Sequence, residues 1–317
     1  MRGVGILPVM RALVTGMTGF VGGHLVASLL ADGFEVHGTL LPSVAEVVPA
    51  GTSGTPVEIT DPDAMANLVA RHRPDVVFHL AGSASVGQSF EDPLGTWRVN
   101  VEGTRAVLEG VRRSAPTART VVALSGEQYG RVPLEDLPVD ENTPQRPLSP
   151  YAESKAAADA LCAEYVRNHG LAVIRLRAFN QIGPGQDSRF VLPSICRQIA
   201  EAELAAEPVC RLHLGNLDTR RDFLDVRDVV LAYRLLGMNG DPSRPYIAAR
   251  GESRSVRDLV DIAVVRARLP VVVLSDPSRV RAGEQADLYA NPRGLRDLGW
   301  EPTISIEQAI ADTLNYW

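Results

Sequence analysis

The 317-residue chain is almost without lysine: Lys155 is the only one, and every other cation is an arginine. Cysteine is scarce too. Cys162, Cys196 and Cys210 have no metal-ligand spacing and form no even set, which argues against a cysteine-held metal or a disulfide framework and points to a reducing compartment. There is no basic stripe, and the net charge is −6, so nucleic acid and an anionic membrane surface are excluded as partners. No apolar run is long enough to span a bilayer. The leading segment MRGVGILPVM lacks the small-residue cleavage site of a signal peptide and continues directly into a glycine-rich turn. Met10-Arg11 reads as an alternative start, with residues 1–9 a dispensable extension. Repeats and low-complexity segments are missing. What remains is a chain with 45% hydrophobic and 22% charged residues, a globular balance at a length that buries a sizeable core. It reads as soluble and cytoplasmic.

The lone lysine stands in Tyr151-Ala152-Glu153-Ser154-Lys155. Pro150 suits a helix entry and Ser149 a cap, so Tyr151 and Lys155, four apart, fall on one helix face. An arginine cannot replace an ammonium required by chemistry, because its guanidinium differs in shape and hydration.

Taken in order, Arg11–Thr15 is an apolar strand that runs into Gly16-Met17-Thr18-Gly19-Phe20-Val21-Gly22 and then a helix to about Leu30. Gly16 would make the tight turn and Gly19 would let backbone N–H groups approach a pyrophosphate. Gly22 would permit close helix–strand packing. The second strand, Phe34–Gly38, is followed by Thr39-Leu40-Leu41-Pro42, which offers neither the acid that reads an NAD ribose nor the arginine that holds a 2′-phosphate. Without an acid to repel the phosphate, NADP(H) is favoured and NAD(H) remains open. A strand around Val57-Glu58-Ile59 leads to Asp61, which either meets the adenine edge or caps the helix from Pro62. Asp75-Val76-Val77-Phe78-His79-Leu80-Ala81-Gly82 is a buried strand ending in small residues, with His79 read as a packing residue. A long helix is expected over 93–113 with Asn100 inside it. Thr120–Leu124 is a strand ending at Ser125-Gly126-Glu127-Gln128-Tyr129-Gly130, and Ala172–Leu176 is another.

This alternation gives an α/β fold, a doubly wound parallel Rossmann sheet, whose ligands gather at the carboxyl ends of the strands. Residues 1–180 form the dinucleotide-binding domain, with 223–240 returning to it. Residues 181–222 and 241–317 form a smaller C-terminal substrate lobe. Tyr151, Lys155 and Ser125 suit hydride transfer: a phenol supplies the proton, an ammonium lowers its pKa toward working pH, and a serine orients the oxygen.

The Gly16/Gly19/Gly22 turn, His79–Gly82, Asn100, Ser125, Tyr151-x-x-x-Lys155 and Leu298-Gly299-Trp300-x-Pro302 together resemble the extended short-chain dehydrogenase/reductases that act on nucleotide sugars. The resemblance covers essentially the whole chain. Within that group it points to the GDP-4-dehydro-6-deoxy-D-mannose reductases that make GDP-D-rhamnose, through Ser125–Gly130, Arg177–Gln186, Leu214–Asp218 and Arg220–Phe223. GDP-mannose 4,6-dehydratases are the rival, with Glu127 as the base at sugar C5, and a 4-epimerase would use the same Ser/Tyr/Lys set. Gly126 and the Gly183-Pro184-Gly185-Gln186 segment depart from the dehydratase pattern.

The resemblance implies catalytic roles for Ser125, Tyr151, Lys155 and Glu127. It implies a cofactor site of Gly16, Thr18, Gly19, Phe20, Val21, Gly22, Asp61, Leu80, Ala81, Gly82 and Asn100, with Tyr151 and Lys155, and no metal. For a nucleoside-diphosphate sugar, GDP favoured, it implies Ser85, Asn180, Val191 and Asn216, with Arg221 and Arg281 on phosphates and Glu284 on the nucleotide ribose. A homodimer packed through helices 93–113 and 151–168 is expected.

Overall fold

A computed structural model of the chain describes residues 9–279 and 285–317; Arg281 and Glu284 lie outside the described residues. Strands β1 (Arg11–Thr15), β2 (Glu35–Leu40), β3 (Ser53–Pro56), β4 (Val76–His79), β5 (Arg119–Ser125) and β6 (Val173–Ala178) alternate with helices α1 (Phe20–Ala31), α2 (Pro62–His72), α3 (Val86–Glu91), α4 (Pro93–Trp97), α5 (Gly103–Ser114) and α6 (Pro150–His169). The later elements are β7 (Asn180–Ile182), α7 (Val191–Leu204), β8 (Cys210–Leu214), β9 (Arg220–Arg221), β10 (Phe223–Asp225), α8 (Val226–Asn239), β11 (Pro245–Ala248), β12 (Arg254–Ser255), α9 (Val256–Val264), β13 (Val271–Ser275), β14 (Asp287–Leu288), α10 (Arg293–Arg296) and α11 (Ile306–Tyr316). Seven strands form one sheet in the order β11-β6-β5-β4-β1-β2-β3, and the pairs β1·β2, β1·β4, β2·β3 and β4·β5 are parallel. Within that order the run 3-2-1-4-5-6 is the dinucleotide-binding one, so the doubly wound sheet read from the alternation is the sheet observed.

Two local readings are corrected. The third strand is Ser53–Pro56, pairing His37 with Ser53 through Leu40 with Pro56, rather than the stretch around Val57–Ile59. It is an edge strand bonded on one side only, where a proline and a glycine are tolerated and apolar alternation is not required. The helix expected over 93–113 is α4 and α5 joined by a π-helical turn, Arg98–Glu102, that contains Asn100.

The chain divides into two compact units. Of the described residues, the first holds 9–124, 154–175 and 233–244, and the second holds 125–153, 176–232, 245–279 and 285–317. The sequence reading placed the break at 180 and the return at 223–240. Residues 125–153 belong to the second unit because Tyr129, Val132 and Val139 pack with Phe179, Ile247, Ala249, Leu288 and Ala290. The first unit has its own core around Leu13, Met65, Val77, Leu108, Val122 and Cys162. A second core in the other unit gathers α7, β8, α9 and α11 around Ile195, Leu212, Leu259 and Ile310. Among the described residues no helix is long and apolar enough to cross a membrane.

Candidate active site

In the first unit, β1 ends and α1 begins within one turn. Gly16 has φ +69°, and a Cβ there would lie 2.9 Å from the Ala81 backbone nitrogen. At Gly22 a Cβ would come within 2.0 Å of the Gly16 carbonyl oxygen, so only glycine lets α1 lie against the turn. The Gly19 amide donates to that same oxygen at 3.1 Å, and Gly19 is the residue preceding α1. Phe20 and Val21, half-buried, open the helix.

Behind the turn runs a chain of buried hydrogen bonds. The Ala81 amide donates to Thr15 Oγ1 (3.1 Å) and Thr104 Oγ1 donates to the Asn100 carbonyl (2.6 Å). His79 lies between the two hydroxyls, with Nδ1 2.8 Å from Thr15 and Nε2 3.1 Å from Thr104. As the Thr104 proton is committed to Asn100, His79 Nε2–H must be the donor and Nδ1 the acceptor. Burial, followed by the charge of Lys155, pushes His79 down to about 3, so it is neutral packing material. Asn100 accepts from the Ser83 amide (2.9 Å) and donates to the Ser83 carbonyl and to Ser154 Oγ (2.8 Å), tying the end of β4 to α6. Its amide is occupied in holding the walls of the cofactor region together.

Lys155 is buried and donates from Nζ to the Ala123 carbonyl at 2.9 Å; burial pushes it down to about 8. A Cβ at Gly82 would lie 2.8 Å from Asn100 Oδ1 and 3.4 Å from Lys155 Nζ, so the glycine keeps clear a space beside the ammonium. These clearances suit a dinucleotide: backbone N–H groups for its pyrophosphate and a lysine beside an uncluttered backbone. Asp61 is the N-cap of α2, accepting from the Asp63 and Ala64 amides at 2.9 and 3.0 Å, so its carboxylate serves the helix end. Ser85 caps α3 through the Gln88 amide.

One side chain reaches this corner from outside the motifs. The residues just past β2 carry no acid, yet Glu46 folds back to them. Thr18 Oγ1 donates to Glu46 Oε1 at 2.5 Å and the Leu41 amide donates to Oε2 at 2.6 Å. No periodicity or motif marks Glu46; only the path of the loop places it.

In the second unit, Ser125 ends β5 and caps the 3₁₀ turn Gly126–Tyr129, with Oγ accepting from the Glu127 amide at 3.2 Å. The Tyr151 hydroxyl is hydrogen-bonded to Ser125, and the residue is only 8% exposed. Ser149 caps the start of α6 as expected, accepting from the Ala152 amide at 3.1 Å. Tyr151 differs from expectation in its titration. Burial pushes it up to about 12, the Ser125 hydrogen bond pulls the other way, and Glu127 raises it further. Desolvation thus outweighs the lowering expected from an ammonium.

Gly126 is explained by packing, since a Cβ would strike the Phe179 ring at 2.7 Å. Tyr129, fully buried, takes a hydrogen bond from Arg177 at 2.8 Å and belongs to the core. Glu127 is paired with Arg221 at 3.7 Å, and Arg221 donates to the carbonyls of Arg220 and Gln285, both at 2.8 Å. A guanidinium so committed, only 8% exposed at its side chain, holds Glu127 and the β9 strand before any phosphate.

Asn180 opens β7 opposite Phe223, and Val191 opens α7. Asn216, exposed, accepts from the Asp218 amide in the turn after β8. Gln181 and Gln186 each bury an Oε1 without a protein hydrogen-bond partner. Among the described residues no His, Cys, Asp and Glu cluster could hold a metal ion.

Comparison with known proteins places these features in context. The family model described as GDP-mannose 4,6 dehydratase matches residues 13–313. A curated relative, GDP-6-deoxy-D-mannose reductase of Pseudomonas aeruginosa, is 35% identical over 97% of this chain and 97% of its own length. The solved structure of RMD from Pseudomonas aeruginosa complexed with NADPH superposes with TM-score 0.85 at 33% identity, covering 98% of this chain and 97% of that one. UDP-glucose 4-epimerase of Thermus thermophilus, in complex with NAD, gives TM-score 0.84 at 30% identity over 97% and 98%.

Proposed function

This chain belongs to the GDP-mannose 4,6-dehydratase family of extended short-chain dehydrogenase/reductases, and from that membership we propose that it is a NAD(P)H-dependent reductase of the 4-keto group of a nucleoside-diphosphate 4-keto-6-deoxy sugar. The substrate is GDP-4-dehydro-6-deoxy-D-mannose and the product GDP-D-rhamnose. The observation that carries this reading is the likeness to a curated GDP-6-deoxy-D-mannose reductase, 35% identical over 97% of both chains. Buried, bonded to Ser125 and pushed up to about 12, the Tyr151 phenol keeps its proton at neutral pH. A reduction needs that proton, because the carbonyl oxygen becomes an alkoxide, a stronger base than phenolate.

The residues divide the work by unit. The Gly16–Gly22 turn binds the pyrophosphate, and Lys155 holds the nicotinamide ribose. A bound reduced nicotinamide supplies the hydride. Ser125 holds the carbonyl oxygen by hydrogen bond, and Tyr151 delivers the proton to it. Asn180, which opens β7, contacts the sugar or its diphosphate. The likeness to a curated reductase over nearly all of both chains supports the same substrate.

A second reading, GDP-mannose 4,6-dehydration with Glu127 as the C5 base, is favoured by the presence of that carboxylate two residues before Tyr129, held by Arg221. A homodimer is supported by Phe90, Leu94 and Trp97, apolar side chains left exposed along α3 and α4. A cytoplasmic location is supported by three buried, unbridged cysteines.

The test supplies purified protein with the GDP-linked 4-keto-6-deoxy sugar and NADPH or NADH. Reduced dinucleotide is consumed and a GDP-6-deoxyhexose forms; Tyr151→Phe binds dinucleotide as before and loses about 10²–10⁴-fold in turnover. Conversion of GDP-mannose to the keto sugar without net dinucleotide consumption would instead establish the dehydratase.

A further inference from the structure

The loop after β2 is exposed over most of its length, with Val44 and Val47 turned to solvent, yet Glu46 turns inward and is half-buried. Both of its carboxylate oxygens are held. Thr18, which supplies one hydrogen bond, sits between the first two glycines of the phosphate turn; Leu41, which supplies the other, is the first residue past β2. These two anchors fix the carboxylate at the carboxyl end of β2 and against the glycine turn. The turn itself is braced to the same strand, because the Gly16 amide donates to Thr39 Oγ1 at 3.1 Å. In a dinucleotide fold this corner is where the adenosine ribose is read. Among the described residues no arginine pairs with Glu46, so its charge is uncompensated. The histidine within β2, His37, is pushed down to about 4 by burial first and then by the charges of His72 and Arg71, and carries no positive charge at neutral pH.

We infer that Glu46 is the residue that discriminates between the two nicotinamide dinucleotides, accepting from an adenosine 2′-hydroxyl and repelling a 2′-phosphate. A carboxylate at the end of the second strand ordinarily does this from the strand itself; here a loop residue six positions beyond β2 does it through Thr18 and Leu41. The 2′-hydroxyl of NAD(H) takes up acceptor capacity that Glu46 has left after its two hydrogen bonds. A 2′-phosphate brings nearly two negative charges to the same place, and either the phosphate or the loop must move away.

The inference rests on the dinucleotide-binding part of the proposed function, and the test separates the two. NAD+ and NADP+ are titrated calorimetrically, each alone, into the wild-type protein, Glu46→Gln and Glu46→Ala. The ratio of the two dissociation constants, NADP+ over NAD+, is expected to fall at least tenfold in both variants, chiefly because NADP+ binds more tightly. Equal changes for the two dinucleotides would show that Glu46 only holds the loop, and would overturn the assignment, as would an unchanged ratio. If the wild-type protein binds neither dinucleotide, the functional reading falls as well. Glu46 lies on a largely exposed loop outside the three core clusters, so the variants are expected to unfold with the wild-type midpoint.

Discussion

In the first unit the polar side chains at the strand ends are bonded to one another: Thr15 to His79, His79 to Thr104, Thr104 to Asn100, and Asn100 to Ser83 and Ser154. In the second, Gln181 and Gln186 bury acceptors without partners, and Glu127 meets Arg221 only at a long 3.7 Å. The difference separates two tasks. A dinucleotide is bound mainly through backbone and through clearance, so the side chains there serve to hold walls in place. A sugar is recognised through its hydroxyls, which need acceptors not already satisfied within the protein. Lesions in the glycine turn and in the buried hydrogen-bond chain of the first unit should therefore cost structure and cofactor together, and lesions in the second unit's site should cost chemistry alone.

The largest effect expected from that division is at Gly22. A methyl there would overlap the Gly16 carbonyl oxygen and the Met17 backbone. Backbone cannot rotate aside as a side chain can, so Gly22→Ala should destabilise by about 3 kcal/mol and abolish dinucleotide binding. The neighbouring Gly23, also within α1, has open space around its missing Cβ. Gly23→Ala should gain roughly 0.5–1 kcal/mol from helix propensity. Urea unfolding of both variants checks the pair. Equal midpoints would mean that clearance around the turn does not govern the first unit.

Lys155 lies between the two kinds of lesion. It belongs to the first unit, yet under the proposed function its charge serves the chemistry. Its folded pKa of about 8 lies below the unfolded value of 10.5, because burial disfavours the ammonium. Below pH 8 both states hold the proton and the wild type bears the full penalty of a buried charge, roughly 3 kcal/mol from the size of the shift. Between pH 8 and 10.5 the unfolded chain binds a proton that the folded chain does not, so this contribution to stability rises with pH. Lys155→Met escapes the penalty but leaves the Ala123 carbonyl without its donor, which returns about 1 kcal/mol. At pH 7 the variant should be at least as stable as the wild type while turnover falls by about 10²-fold or more. Its stability advantage should shrink above pH 8. In the wild type, activity that needs the ammonium should decline through the same range. A variant that loses stability and activity together would place Lys155 among the structural residues of its unit.

The same division explains what was legible before the fold was known. Strand, glycine turn and helix are contiguous, and so are Tyr151 and Lys155, so spacing alone reveals them. The cap at Ser149 and the doubly wound parallel sheet follow from the same local signals. What escaped depends on distant partners. Glu46 reaches Thr18 across 28 positions. Arg221, a phosphate ligand by resemblance, is committed to Glu127, which precedes it by 94 positions in the chain. The role of Asn100 depends on Ser154, 54 positions on, and on a π turn that hydrophobic periodicity cannot distinguish from ordinary helix. The upward shift of Tyr151 was hidden for a different reason: burial sets it, and burial is a property of the whole fold.

The smallest effect is expected at Glu127, and it bears most directly on the reaction. Under the reductase reading Glu127 performs no proton transfer; its carboxylate is half-exposed and its ion pair with Arg221 is long. Arg221 keeps its hydrogen bonds to the Arg220 and Gln285 carbonyls when the carboxylate becomes an amide. Glu127→Gln should then change stability by less than about 1 kcal/mol, as partly exposed ion pairs do, and reductase turnover by only a fewfold. If Glu127 instead removes the sugar C5 proton, the same substitution should lower turnover of GDP-mannose by about 10²–10⁴-fold with the fold intact. Measuring both reactions on this one variant, against Tyr151→Phe, shows whether the second unit acts through its tyrosine alone or through a tyrosine and a carboxylate.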